Sequence, residues 1–281
     1  MAQRDLTGSR AVVTGAAGTF GRAIGDALRA RGVRVVGLDL TASADAAAPV
    51  LACDVTDDDS VATACAEAVD RLGGLDLLVN NAGVGGPAPA TEPPGEVVRR
   101  QLEVNLLGTW RVTAACTPAL VESRGRVVMV ASRMAVMALP LAAAYGVSKR
   151  GLVAYADALR LELAPAVSVT TVYPSMVRSP IHDSTAAAGL SLEGASQFEP
   201  LEGVVATVVR ACAARRAHRD LATCRRVGAE MFLARHLPAV ADRVVLRRVG
   251  ERIRAGAFDD APLAAGMVSR HRTAGRRGRE D

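Results

Sequence analysis

Lysine is almost absent from this sequence: of 34 basic residues, 33 are arginine and one is Lys149. Asparagine is nearly as scarce, confined to Asn80, Asn81 and Asn105, and aromatic residues make up 3%. A core so poor in aromatics must be built from Ala, Val and Leu. The five cysteines, Cys53, Cys65, Cys116, Cys212 and Cys224, are odd in number and scattered, with no C-x-x-C pair. That pattern excludes a disulfide framework and a zinc site, so no metal centre is expected, and a reducing cytoplasm is the simplest compartment. No apolar leader of signal-peptide type is seen, since the strand-like run RAVVTG already begins at Arg10. The longest uncharged central run, Met134 to Ser148, is shorter than the roughly 18 residues of a membrane helix and contains Pro140 and Gly146.

What is present divides unevenly. Half of the 281 residues are hydrophobic and 22% are charged, as in a soluble globular protein. The net charge of +5 comes from one region. Residues 1–209 carry 17 basic and 21 acidic side chains, whereas residues 210–255 carry 12 and 4. The segment RRVGAEMFLARHLPAVADRVVLRRVGERIR, from Arg225 to Arg254, is amphipathic and basic. Such a segment can cap a pocket, pack on a partner subunit or lie on an anionic membrane; the first two are favoured, and peripheral membrane contact through 225–254 stays open. No aromatic side chains interleave with the arginines to stack on bases, so no nucleic acid is expected.

Short apolar runs alternate with helix-like segments over the first 220 residues. RAVVT, VRVVGLD, DLLVN, GRVVMVA and VSVTTVY are apolar on both faces, as strands of a parallel sheet covered on both sides are. Between them, GRAIGDALRARG and DDDSVATACAEAVDRLGG have helical periodicity, and each ends in glycine. The pattern predicts an α/β fold, a doubly wound parallel sheet of Rossmann type in three layers, with one domain over 1–224. Residues 184–200 are expected to form a lid insertion, 225–256 a basic helical segment packed on the domain or at an interface, and 257–281 a flexible tail.

The first strand runs into TGAAGTFG, Thr14 to Gly21, and then into a helix. A tight glycine turn between strand and helix N-terminus suits a dinucleotide pyrophosphate. The second strand ends at Asp39, whose carboxylate can accept hydrogen bonds from the adenosine ribose and would repel a 2′-phosphate, so NAD is expected over NADP. Tyr145 and Lys149 are four residues apart and share a helix face. Free tyrosine ionises near pH ~10, too high for a general base at neutral pH, and a neighbouring cation lowers that value. Lysine offers a compact ammonium with three donors, which the planar guanidinium of arginine cannot replace. Ser132 lies thirteen residues earlier, at the carboxyl end of GRVVMVAS, where ligands bind in open α/β sheets. Tyr155 and Tyr173 have no lysine in register and read as packing residues.

Taken in order, TGAAGTFG, CDVT, NNAG, VNLLG, VASRM and YGVSK resemble the short-chain dehydrogenase/reductase family over roughly residues 8–224. The resemblance implies an NAD(P)-dependent oxidoreductase, usually a homodimer or homotetramer. It implies that Tyr145 is the acid/base, Ser132 orients the substrate oxygen, Lys149 tunes Tyr145 and Asn105 supports a proton relay. It further implies cofactor contacts at Gly15, Gly18, Thr19, Phe20, Gly21, Asp39, Asp54, Val55, Asn81, Ala82, Gly83, Tyr145, Lys149, Pro174, Val177 and Ser179. Two departures stand out. Thr19 occupies a position where the family's shorter members carry glycine, and Ser175 and Ser179 replace the usual glycine and threonine after Pro174.

The residues expected around the substrate are apolar: Val84, Met134, Val136, Met137, Leu139 and Met176. Arg133 and Arg178 are the only candidate anchors for an anion, with surface placement favoured for both, and solvent exposure is favoured for His182. The expected reaction interconverts a lipophilic secondary alcohol and a ketone. The alternatives are a redox-neutral relative using bound NAD, an epimerase or dehydratase, and a non-catalytic nicotinamide sensor.

Overall fold

The computed structural model describes residues 3–45, 47–190 and 198–277. Seven strands form one parallel sheet: β1 (Arg10–Thr14), β2 (Arg34–Asp39), β3 (Val50–Ala52), β4 (Leu77–Asn80), β5 (Arg126–Val130), β6 (Ser168–Tyr173) and β7 (Asp220–Ala222), in the order β3-β2-β1-β4-β5-β6-β7. Between β1 and β3 lies α1 (Thr19–Arg29), and α2 (Asp58–Leu72) follows β3. Then come α3 (Glu96–Leu102), α4 (Thr109–Ser123), α5 (Ala143–Glu162), α6 (Asp183–Ala187) and α7 (Leu201–Ala213). The C-terminal part is helical: α8 (Arg225–His236), α9 (Pro238–Arg254) and α10 (Ala265–Arg277).

Strand side chains alternate between the two faces, and the apolar runs therefore supply two cores. Val12, Leu38, Leu78 and Met129 pack with Cys65 of α2, Cys116 of α4 and Leu152 of α5 on one face. Val13, Val35, Val79 and Val128 pack with Ile24 of α1 and Val208 of α7 on the other. This is the three-layer, doubly wound sheet that the continuous apolar strands predict. The five predicted strands are all present; β3 and β7 were not predicted, being three-residue edge strands too short to show a period.

The chain moves outward from β1 to β3 and returns across β1 to β4. A crevice opens at the carboxyl ends of β1 and β4, where the direction reverses. Thr14 and Asn81 lock these ends together. The Asn81 amide nitrogen donates to Thr14 Oγ1 at 2.9 Å and its side chain donates to the Thr14 carbonyl at 2.9 Å.

The described part of the expected tail is packed and partly helical. Phe258, Ala261, Ala264 and Val268 are buried with Val249 and Ile253 of α9 and with Leu190, forming a third apolar cluster. Residues 257–268, AFDDAPLAAGMV, show no clear period, and two of the side chains they pack with, Leu141 and Leu190, are distant along the chain, which makes this packing hard to see in the sequence. The expected lid is described only at its flanks, α6 to Leu190 and Phe198 onward; residues 191–197 lie outside the described residues. The Glu199 amide donates to the Met176 carbonyl at 2.8 Å, and the Glu199 carboxylate accepts from the Ser175 amide at 2.7 Å.

Candidate active site

A cavity of about 740 Å³ runs from Asp39 past the glycine turn to Tyr145 and Lys149 and on beneath α9. At the turn, Gly15 has φ +65, and a Cβ there would stand 2.9 Å from the Ala82 Cα. Only glycine reconciles that backbone with so close an approach. A Cβ on Gly21 would overlap the Gly15 carbonyl oxygen, so Gly21 lets α1 fold back on the turn. Asp39 accepts from the Ala17 amide at 2.9 Å, which fixes its carboxylate beside the turn. Gly18, Thr19 and Phe20 complete this end of the cavity. Thr19 is exposed on its wall, so the missing glycine leaves the turn intact.

Three expected cofactor contacts do not reach the cavity wall. Gly21 is a packing glycine. Asp54 is turned to Thr56, accepting from its amide at 2.9 Å and its hydroxyl at 2.7 Å, and the amide bond is the main reason its carboxyl lies below the usual range. Val55 lies against Gly108, where a Cβ would come within 2.7 Å of it. Ala82, Gly83, Pro174, Val177 and Ser179 do line the wall.

Tyr145 and Lys149 stand one turn apart on α5. Burial pushes the Tyr145 phenol up to about 12, against which the Ser132 hydroxyl, hydrogen-bonded to it, acts to lower it. Burial also brings the Lys149 ammonium down to about 8. Lys149 is 3% exposed, donates to the Val130 carbonyl at 3.0 Å, and its Nζ lies 5.9 Å from the Tyr145 ring centre. A buried cation of this kind favours phenolate over phenol beside it. Ser132 caps a short 3₁₀ turn, its hydroxyl accepting from the Met134 amide at 3.1 Å.

Asn105 is wholly buried behind this pair, in a π-helical turn from Glu103 to Gly108. Single π turns inside helices re-aim side chains and recur at functional sites. Asn105 Oδ1 accepts from the Val84 amide at 2.8 Å, and Nδ2 donates to the Val84 carbonyl at 3.0 Å and to Ser148 Oγ at 2.9 Å. A Cβ on Gly83 would stand 3.2 Å from Asn105 Oδ1 and 3.4 Å from Lys149 Nζ, so the bare Gly83 Cα faces both groups. Asn80 has a structural role, donating to Thr113 Oγ1 at 2.9 Å. Tyr155 stacks on Trp110 and Tyr173 donates to Asp220, both away from the cavity, as packing residues.

The substrate wall is only partly as expected. Val84, Met134, Met137, Leu139 and Met176 line it, but Val136 packs into the core. Arg133 is not a surface residue: its side chain is 5% exposed and pairs at 3.2 Å with Glu230 of α8, 11% exposed. A charge following Ser132 could be buried only because α8 delivers a carboxylate to it. Arg178 is exposed, as expected, and lies over the Phe198 ring. His182 is half-buried on the cavity wall, and burial lowers its pKa. The sequence reading missed Leu141, Val245, Arg248, Val249, Arg252 and Phe258. The amphipathic period of α9 was the signal, but it does not say which element the apolar stripe faces.

The residues fit a nicotinamide dinucleotide: a side-chain-free glycine turn opens a helix, an acidic residue ends β2, and a tyrosine–lysine pair lies at the other end of one continuous cavity. No group of acidic, histidine and cysteine side chains suited to a metal ion occurs among the described residues, and no helix among them is long and apolar enough to cross a membrane.

Comparison with known proteins agrees with this geometry. The family model for short chain dehydrogenases matches residues 9–188. D-threitol dehydrogenase of Mycolicibacterium smegmatis is 37% identical over 185 residues, covering 61% of this chain and 71% of that protein. Oxidoreductase UcpA of Salmonella typhimurium is 32% identical over 194 residues, 64% of this chain and 74% of its own. Among solved structures, a short chain dehydrogenase from Burkholderia cenocepacia in complex with NADP superposes with a TM-score of 0.75 at 25% identity, covering 86% of this chain and 99% of that one. An aldohexose dehydrogenase of Thermoplasma acidophilum shares the fold, with a TM-score of 0.69 at 22% identity over 79% of this chain and 94% of that one. With a model match over more than half of its length and a tyrosine–lysine–serine–asparagine cluster in one crevice, this chain belongs to the short-chain dehydrogenase family of oxidoreductases.

Proposed function

We propose that the protein interconverts a lipophilic secondary alcohol and its ketone, using NAD in preference to NADP. The observation that carries this reading is the placement of Tyr145, beside Ser132 and one helical turn from Lys149, in a cavity whose wall also includes Val84, Met134, Met137, Leu139 and Met176. When bound, a nicotinamide supplies the hydride acceptor or donor. Ser132 hydrogen-bonds the substrate oxygen, and Tyr145 takes the hydroxyl proton in oxidation or returns it to the carbonyl oxygen in reduction. Lys149 stabilises the phenolate form of Tyr145, and Asn105 holds the backbone of Val84 and the Ser148 hydroxyl so that the relay keeps its geometry. Asp39, fixed by the Ala17 amide, supports NAD, since its carboxylate would repel a 2′-phosphate.

The test is reduction of NAD and of NADP by purified protein with a panel of secondary alcohols, from polyols such as threitol to apolar ring and chain alcohols. Turnover with apolar alcohols is expected, at least tenfold more efficient with NAD, and reduced about 10²- to 10⁴-fold in Tyr145→Phe. Asp39→Ala should narrow the NAD preference. A preference for polyols overturns the lipophilic assignment, and tight NAD binding without net reduction of any substrate shifts the reading to redox-neutral or sensing roles. We also propose that the chain forms a homodimer or homotetramer through α4 and α5, which leave Trp110, Val147 and Leu161 exposed. A monomeric mass by light scattering overturns this.

A further inference from the structure

Ser132 and Tyr145 stand on two separate turns, and both turns are tied to the C-terminal part of the chain. Ser132 opens the 3₁₀ turn Arg133–Ala135. Its neighbour Arg133 donates from its amide to the Pro174 carbonyl at 2.8 Å. The Arg133 side chain reaches α8, its Nη1 donating to the two Glu230 oxygens at 3.3 and 3.2 Å. Arg226, one turn earlier on α8, donates to Glu230 Oε1 at 3.2 Å and so aims that carboxylate. α8 is itself fixed to the body of the protein by Val227, wholly buried in the core that holds Met129 and Tyr173.

The turn that opens α5 is held differently. Leu141, four residues before Tyr145, has φ +65, a left-handed conformation that a leucine adopts only under constraint. Its carbonyl accepts from the Ala88 amide at 2.8 Å, and its side chain packs against the cluster that contains Val249, Ile253 and Phe258. A buried ion pair adds little stability over apolar side chains of the same volume. What it adds is direction, because charged hydrogen bonds fix where donor and acceptor lie.

We propose that Arg133, Glu230 and Leu141 are positioning residues, through which the C-terminal helices set the Ser132 hydroxyl against Tyr145. None of the three takes part in the proton transfer. This rests on the oxidoreductase reading above and does not depend on which alcohol is the substrate.

Steady-state turnover of the fastest alcohol in the panel above, with calorimetric titration of NAD, tests it on the full chain. In Arg133→Met/Glu230→Met, kcat should fall about ten- to hundredfold while the Kd for NAD changes less than about twofold. In a Ser132→Ala background the same two substitutions should cost less than about twofold further, since Ser132 is no longer there to be positioned. Leu141→Gly adopts the same φ without strain. It gives a second folded variant, with kcat expected to fall about tenfold and NAD binding kept; should the methionine pair fail to fold, Leu141→Gly decides alone. Full turnover in either variant, or turnover that falls only in step with NAD affinity, overturns the proposal. So does a loss in the Ser132→Ala background as large as in the wild type. These outcomes leave the oxidoreductase reading in place, whereas absence of turnover by the wild type with every alcohol overturns both.

Discussion

At the glycine turn, backbone meets backbone: a Cβ on Gly15 would stand 2.9 Å from the Cα of Ala82, and one on Gly21 would stand 2.1 Å from the Gly15 carbonyl oxygen. In the C-terminal roof the contacts are between side chains, Val249 and Ile253 against Leu190 and Phe258, with the Arg133–Glu230 pair tying α8 beneath the catalytic turn. The two regions bound the same cavity from its two ends. One admits a single residue type at each close contact. The other admits any set of side chains that fills the space and neutralises the charge; the family model matches 9–188 and stops before it.

Breaking each region should expose this difference. Gly21→Ala forces a methyl group into the Gly15 carbonyl; the expected cost exceeds roughly 3 kcal/mol, the upper end of ordinary overpacking. Denaturant melts should show it together with loss of dinucleotide binding, and a variant of wild-type stability would show that the turn can move aside. In the roof, Glu230→Gln leaves the buried Arg133 guanidinium without its carboxylate, at a cost of about 3 kcal/mol. Arg133→Met combined with Glu230→Met should recover most of that loss, because what destabilises is the unpaired charge. No recovery would mean that the pair also holds α8 in place by its shape.

The smallest effect has the opposite sign. The Lys149 ammonium is brought from 10.5 down to about 8 by burial. Between those values the native state holds fewer protons than the unfolded chain, so stability rises with pH across that window, and below it the buried charge is a constant cost. Lys149→Met should therefore be inactive yet about 2 kcal/mol more stable than the wild type at pH 7, with the difference fading toward pH 10. That figure is the roughly 3 kcal/mol cost of the buried ammonium less about 1 for the lost bond to the Val130 carbonyl. Tyr145 acts at higher pH: its phenol is raised to about 12, so its contribution is intact below about 10 and is lost between about 10 and 12. Melts at pH 7 and pH 10 check the lysine, and equal stability of variant and wild type at both would show that the buried ammonium costs nothing.

Much of the glycine-turn end was legible because its constraints are local. A strand of apolar residues on both faces, a helix opening on glycine and a tyrosine one turn before a lysine are relations between near neighbours in the chain. They predict the parallel sheet, the turn and the shared face of Tyr145 and Lys149. The readings of Arg133 and His182 as surface residues failed for the converse reason. Arg133 has no local sign of burial: its partner Glu230 lies 97 residues away. Asp54 and Val55 sit in a family motif, yet Asp54 caps its own turn and Val55 fills the space above Gly108.

The sequence by itself determined the class of fold, the glycine turn and the shared helix face of Tyr145 and Lys149, because these follow from residue type and spacing along the chain. Tertiary structure alone decided what closes the cavity. An amphipathic helix carries its stripe of valine and arginine wherever it packs, and only the surface it meets determines whether that stripe faces a neighbouring subunit, a membrane or, as here, the cavity that Tyr145 also lines.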